Sequence, residues 1–123
     1  MGLKERVDHI RKNMEIVLPE DYSITLCYAM LDEDFTLTYI NGGHPAPLVF
    51  MNGATSFLEG RSPMIMGINL NAKAEVQTIK LPPHSKLFLY TDGASEAMNE
   101  SSAYLAEEGM KDIFHNAVME GGE

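Results

Sequence analysis

The 123-residue sequence holds one cysteine, Cys27, and no tryptophan. A single thiol excludes an internal disulfide. The histidines, His9, His44, His84 and His115, form no i,i+4 pair and none adjoins Cys27, so a zinc centre has no ligand set. Cys27 lies in the apolar run LCYAML without a basic neighbour, which predicts a small buried side chain and not a reactive thiolate. A reducing compartment fits this usage, and the cytoplasm is the expected location. Cations are scarce as well: nine Lys and Arg stand against eighteen Asp and Glu, a net charge of −9. With no basic run to offset it, that charge repels phosphate backbones, so no nucleic-acid partner is expected. No apolar stretch approaches the roughly 20 residues of a membrane span, and no membrane partner is expected. The opening MGLKER offers neither a signal-peptide apolar region nor the Ser or Thr that a myristoylation signal carries sixth.

What is present suits one domain. The chain is 45% apolar, and a length of this order buries roughly two-thirds of its extended surface. Leu3, Val7, Ile10, Met14 and Val17 recur every three or four residues, predicting an amphipathic helix stopped before Pro19. SITLCYAML (23 to 31) reads as a strand buried on both faces, and FTLTYIN (35 to 41) alternates as a strand with one wet face. Asp32, Glu33 and Asp34 make the reversal between them. GGHPAP is irregular by composition, and Asn52-Gly53 within PLVFMNGATSFL is a strong hairpin signal. EGRSPMIMGINLNA reads as a loop with an apolar plug, Met64 to Met66. EVQTIKL (75 to 81) and KLFLY (86 to 90) are further strands, separated by PPHS. A helical turn after TDG, a helix from about Ala103 to Met119 and a loose EGGE end close the chain. The nine methionines, spread as they are, predict core gap-filling. Helix, hairpin-linked strands, then helix predicts the α+β class with antiparallel sheet.

One stretch carries chemistry: LFLYTDGASEAMNE. A carboxylate at the exit of a central strand, Asp92, has its direction fixed by the strand, and Gly93 permits positive φ and close approach of a ligand. By spacing alone the commoner outcome is a cap, with Asp92 accepting backbone N–H bonds of the following helix. His44, between glycines and Pro45, could bind phosphate, yet a loop histidine that fixes its own turn is the more frequent case. Ser95 lacks a G-x-S-x-G elbow, which argues against a serine hydrolase. Glu107, Glu108 and Asp112 read as a solvated helix face.

Taken together, these stretches resemble the C-terminal part of the metal-dependent protein phosphatase (PPM, protein phosphatase 2C-like) domain in its SpoIIE/RsbU-type branch. SITL is similar to the family's "TL" strand at Thr25 and Leu26, and YINGGHPAPLVF to its "Y-x-N-A-G-H-P-P" stretch, with Gly42 where alanine is usual. MIMGI resembles the "P-L-G-L" loop at Gly67 and Ile68, and LPPHSKLFLYTDGASEAMN resembles "L-x-P-G-D-x-L-L-L-Y-T-D-G-V-T-E-A-x-N". The similarity runs from about residue 13 to 116, and two motifs in register make it specific.

The resemblance implies a sandwich of antiparallel sheets flanked by helices and a two-metal site, manganese or magnesium, in which Asp92 is a ligand. In such sites the metals hold the attacking water and stabilise charge on the phosphoryl oxygens. Thr91 and Gly93 would shape the turn, Glu96 would anchor it, and Gly43 and His44 would shape a loop near the site. The implied substrate is a phosphoserine or phosphothreonine on a STAS-type anti-anti-sigma regulator.

The family's "G-D-x-x-D", "D-x-x-G-H-G" and "D-D-x-T" motifs are absent from this sequence. Two dications about 4 Å apart repel by roughly 16 kcal/mol at an effective dielectric of 20, which one carboxylate cannot offset. The expectation is therefore a single partial domain, inactive alone, whose uncovered sheet surface drives self-association. The alternative is a non-catalytic interaction or dimerisation module derived from the same fold.

Overall fold

A computed structural model describes residues 2–19, 24–62, 75–96 and 106–121. In chain order its elements are α1 (Leu3–Val17), β1 (Leu26–Leu31), β2 (Thr36–Gly42), β3 (Leu48–Met51), β4 (Ala54–Phe57), β5 (Arg61–Ser62), β6 (Gln77–Lys80), β7 (Lys86–Phe88), α2 (Asp92–Ser95) and α3 (Ala106–Gly121). They divide into two compact units: Met1–His44 with Glu59–Lys80, and Pro45–Leu58 with Leu81–Glu123. Helices flanking mainly antiparallel sheets make this the expected α+β class. The apolar plug at 64–66 and the start of the last helix lie outside the described residues.

In the first unit, the i,i+3/i+4 stripe of α1 packs Leu3 and Val7 onto Ile40 of β2, with Ile10, Met14, Ile24, Leu26 and Tyr28 around them. Burying each such side chain contributes about 1.5–3 kcal/mol, so this cluster holds α1 to its sheet. Leu18 turns extended ahead of Pro19 and ends the helix, its N–H still bonded to Met14 O at 2.9 Å. The stripe stops short of its predicted end: Val17 is exposed beside Ile16.

β2 is the centre of this sheet. It pairs antiparallel with β1 and β6, and its last two residues pair parallel with β5. This parallel bridge was not predicted. Two burial expectations also change. β1 is half-buried over Leu26–Tyr28 but exposed from Ala29 to Leu31, because its far end projects beyond what α1 covers. β2 has no fully wet face: Thr36 and Thr38 are half-buried, and Tyr39 to Gly42 are all buried. GGHP is also less irregular than its composition predicts, since Gly42 closes β2 and Gly43 bridges to Leu26.

In the second unit the sheet order is β4-β3-β7, all antiparallel. Asn52 and Gly53 take φ 53° and 81°, the left-handed pair that a two-residue hairpin needs. α3 lies on this sheet through Met110, Lys111, Phe114 and His115. Met110 joins Leu48 and Tyr90 in the core, and Phe114 stacks on Phe88 with centroids 5.2 Å apart. Lys111 sits over the Phe57 ring at 5.7 Å, and the Thr55 hydroxyl meets His115 Nδ1 at 2.7 Å. β7 corrects a prediction. Among the described residues it is the edge of its sheet, not a central strand, and Leu87 and Leu89 are exposed.

Candidate functional site

The two signature stretches fall in different units and are built differently. The GGHP loop follows β2 in the first unit. Asn41 Oδ1 accepts the His44 N–H at 2.9 Å, and His44 Nδ1 lies 3.4 Å from the Thr25 hydroxyl. Gly43 has φ 71°, a conformation glycine takes without strain, and its N–H donates to Ser62 O at 2.7 Å. The Ser62 hydroxyl donates to Asn41 O at 2.7 Å, and Arg61 Nη2 to Gly43 O at 3.4 Å. His44 is half-buried, and Pro45 and Pro47 after it are fully buried. The bond that holds the loop is thus to the His44 backbone N–H, while its imidazole meets Thr25 outside the turn. Asn41, 1% exposed, supplies the side chain that holds the loop, and its Nδ2 has no hydrogen-bond partner among the described residues.

Asn41, Ser62 and Arg61 were not among the predicted site residues. Asn41 lies inside the quoted YINGGHP motif, whereas Arg61 and Ser62 are near it only through the β2–β5 pairing.

The TDG turn lies in the second unit. Beyond β7, Leu89 is exposed and Tyr90 buried, its ring near that of Phe88 at 5.9 Å, so the chain is anchored just before the turn. Thr91 is the N-cap residue by its extended backbone, without a side-chain cap bond. Asp92 is the first residue of α2, exposed, and its carboxylate accepts no hydrogen bond among the described residues. The expected alternative, a capping Asp92, is thus not what the chain does. Its backbone carbonyl binds the turn instead, accepting the Glu96 N–H at 2.8 Å and the Ser95 hydroxyl at 3.4 Å.

Gly93 lies inside α2 without positive φ, so the freedom it permits is not used; a Cβ there would meet only Thr91 Oγ1 at 3.5 Å. Glu96 anchors the turn through its backbone, and its side chain is exposed. Buried Ser95, with Ala94 against the Leu48–Tyr90–Met110 core, seats the turn. Next to it opens a cleft of about 670 Å³ lined by Ser95, Glu96, Ala106, Glu107 and Glu108. Glu107, expected on a solvated face, is half-buried there.

The chemistry of these donors does not fit a complete two-metal centre. Among the described residues no group of three or more His, Cys, Asp or Glu side chains could hold a metal ion. Asp92 provides one open carboxylate and no more. Cys27 is half-buried, not buried, and desolvation raises its thiol pKa, which disfavours the thiolate. No helix among the described residues is long and apolar enough to cross a membrane.

The family model of stage II sporulation protein E (SpoIIE) matches residues 2–122. Among solved structures, the chain is similar to that of the RsbU and RsbW domains of Rv1364c from Mycobacterium tuberculosis, with a TM-score of 0.75 and 21% identity. That match covers 96% of this chain and 33% of the other, so the chain spans about a third of its length. No curated protein sequence matches it.

Proposed function

The chain belongs to the SpoIIE family of PPM-type phosphatase domains, and from that premise we propose that it is the part of a metal-dependent serine/threonine phosphatase that contributes Asp92 to a manganese or magnesium site. One observation carries the reading: the Asp92 carboxylate stands at the start of α2, exposed and unengaged by any backbone amide of the described residues. A carboxylate serving the fold would be expected to accept such bonds. The remaining ligands come from outside the described residues, which is why the isolated chain is inactive in this reading.

The substrate we propose is phosphoserine or phosphothreonine on a STAS-type regulator. Membership of the family is what supports this substrate class. The test joins this chain to a segment bearing the "G-D-x-x-D" motif and measures manganese-dependent release of phosphate from a phosphorylated STAS protein. Activity that collapses in Asp92→Asn is expected; full activity in that variant removes Asp92 from the mechanism.

A second reading, a self-associating interaction module, is favoured by the exposed end of α1, where Ile16 is 81% exposed next to Val17. Light scattering on the 123-residue chain separates them. A stable dimer lost in Ile16→Ser supports the module, and a strict monomer counts against it.

A further inference from the structure

The β1–β2 reversal holds a bulky aromatic where the backbone geometry asks for glycine. Asp32 N–H donates to Thr36 O and Phe35 N–H to Asp32 O, both at 3.0 Å, closing a three-residue loop. Phe35 has φ 64°. In such loops the residue before the second strand takes the left-handed conformation and is normally Gly. Phe35 is 56% exposed, so burial within the chain does little to offset that strain.

The rest of the tip is firmly bonded. Asp34 Oδ1 accepts the Thr36 N–H at 3.2 Å, Lys80 Nζ bonds the Asp34 backbone carbonyl, and Lys80 Nζ lies 3.6 Å from Asp34 Oδ2. Leu31, the last residue of β1 and 58% exposed, adds apolar surface near the loop, while Asp32 and Glu33 add exposed carboxylates beside it.

We infer that this tip is a preformed docking knob, with Phe35 as its anchor, for a partner polypeptide segment that is apolar and positively charged. A rigid turn carries little ordering cost on binding, and an aromatic anchor is the residue type that dominates interface energetics. Three consecutive acids with one paired lysine make the rim anionic, which attracts a basic segment. The same charge opposes a second copy of this chain, at net −9, and an anionic lipid surface.

The test pans a displayed library of random dodecapeptides on the immobilised full chain, then titrates synthesised winners against isotope-labelled protein. Winners rich in Lys or Arg beside Leu or Phe are expected, shifting amide signals of residues 30 to 36. Their affinity falls at least about tenfold in Phe35→Gly and several-fold in the double variant Asp32→Asn, Glu33→Gln. Phe35→Gly also raises Tm by about 2–4 °C, because glycine adopts the loop conformation without strain. The proposal is overturned by winners without positive charge, by unchanged affinity in Phe35→Gly, or by a lower Tm in that variant, which would give Phe35 a packing role. Tip-dependent binding to anionic vesicles or to a second copy, in place of peptides, overturns it as well.

Discussion

The GGHP loop and the TDG turn are both short, glycine-bearing and adjacent to a strand, yet they spend their polar groups in opposite ways. Around His44 the side chains turn inward: Asn41 holds the His44 amide, Thr25 meets the imidazole, and Ser62 fixes Asn41 O. Around Asp92 the turn is made mainly by backbone, through Asp92 O and Thr91 O with the Ser95 hydroxyl added, and the exposed carboxylate accepts no hydrogen bond among the described residues. A side chain already engaged by the fold stabilises it, whereas one left open keeps its lone pairs for something else. In the first signature the polar side chains are spent on the fold, and in the second the Asp92 carboxylate stays open for the ligand role proposed above.

The sharpest way to break that contrast is Asp92→Asn. Phosphatase activity of the chain joined to a segment bearing the "G-D-x-x-D" motif should fall by about a thousandfold, roughly 4 kcal/mol of barrier, while Tm moves by no more than about 1 °C. A large loss of stability with activity retained would reverse the assignment. Ile40→Ala, under α1, calibrates the scaffold side: urea unfolding should show about 2–5 kcal/mol lost. Asn41→Ala tests whether the first signature is scaffold. It removes the acceptor for the His44 N–H, and calorimetry should register about 1–3 kcal/mol of destabilisation. Thr55→Val, distant in sequence from both signatures, loses only the bond to His115 and should cost about 0.5–1.5 kcal/mol by the same measurement.

The smallest effect is at Asp34. The Thr36 N–H, followed by Lys80, lowers its carboxyl pKa from an ordinary 3.8. A depressed folded-state value contributes stability above the ordinary pKa and loses it as pH falls through the folded one. Acid titration followed by carboxyl NMR should place Asp34 below free aspartate, and Asp34→Asn should remove that part of the acid limb.

Much of the fold was legible because its signals are local. The three- and four-residue spacing of Leu3, Val7, Ile10 and Met14 specifies a helix whatever lies beyond it, and Asn52-Gly53 specifies a hairpin through the φ values its two residues accept. The TDG turn was legible as a motif, but Asp92 as cap or as open carboxylate was not, since both use the same three letters. Gly60 gave no signal at all. At φ 91°, with Gln77 Cγ 2.4 Å from where a Cβ would stand, it admits no side chain without rearrangement, a constraint set by a residue seventeen positions away.

The sequence by itself determined the class, the helices, the turns and the family, because periodicity, turn chemistry and motif spacing act over a few residues. Only the tertiary structure decided that Arg61 and Ser62 run parallel to β2, that β7 is an edge among the described residues, and that the Asn41 side chain holds the loop while the Asp92 carboxylate accepts no hydrogen bond from any described residue. Strand order and burial depend on which distant segments win the competition for each sheet edge, and no local pattern of residues records the winner.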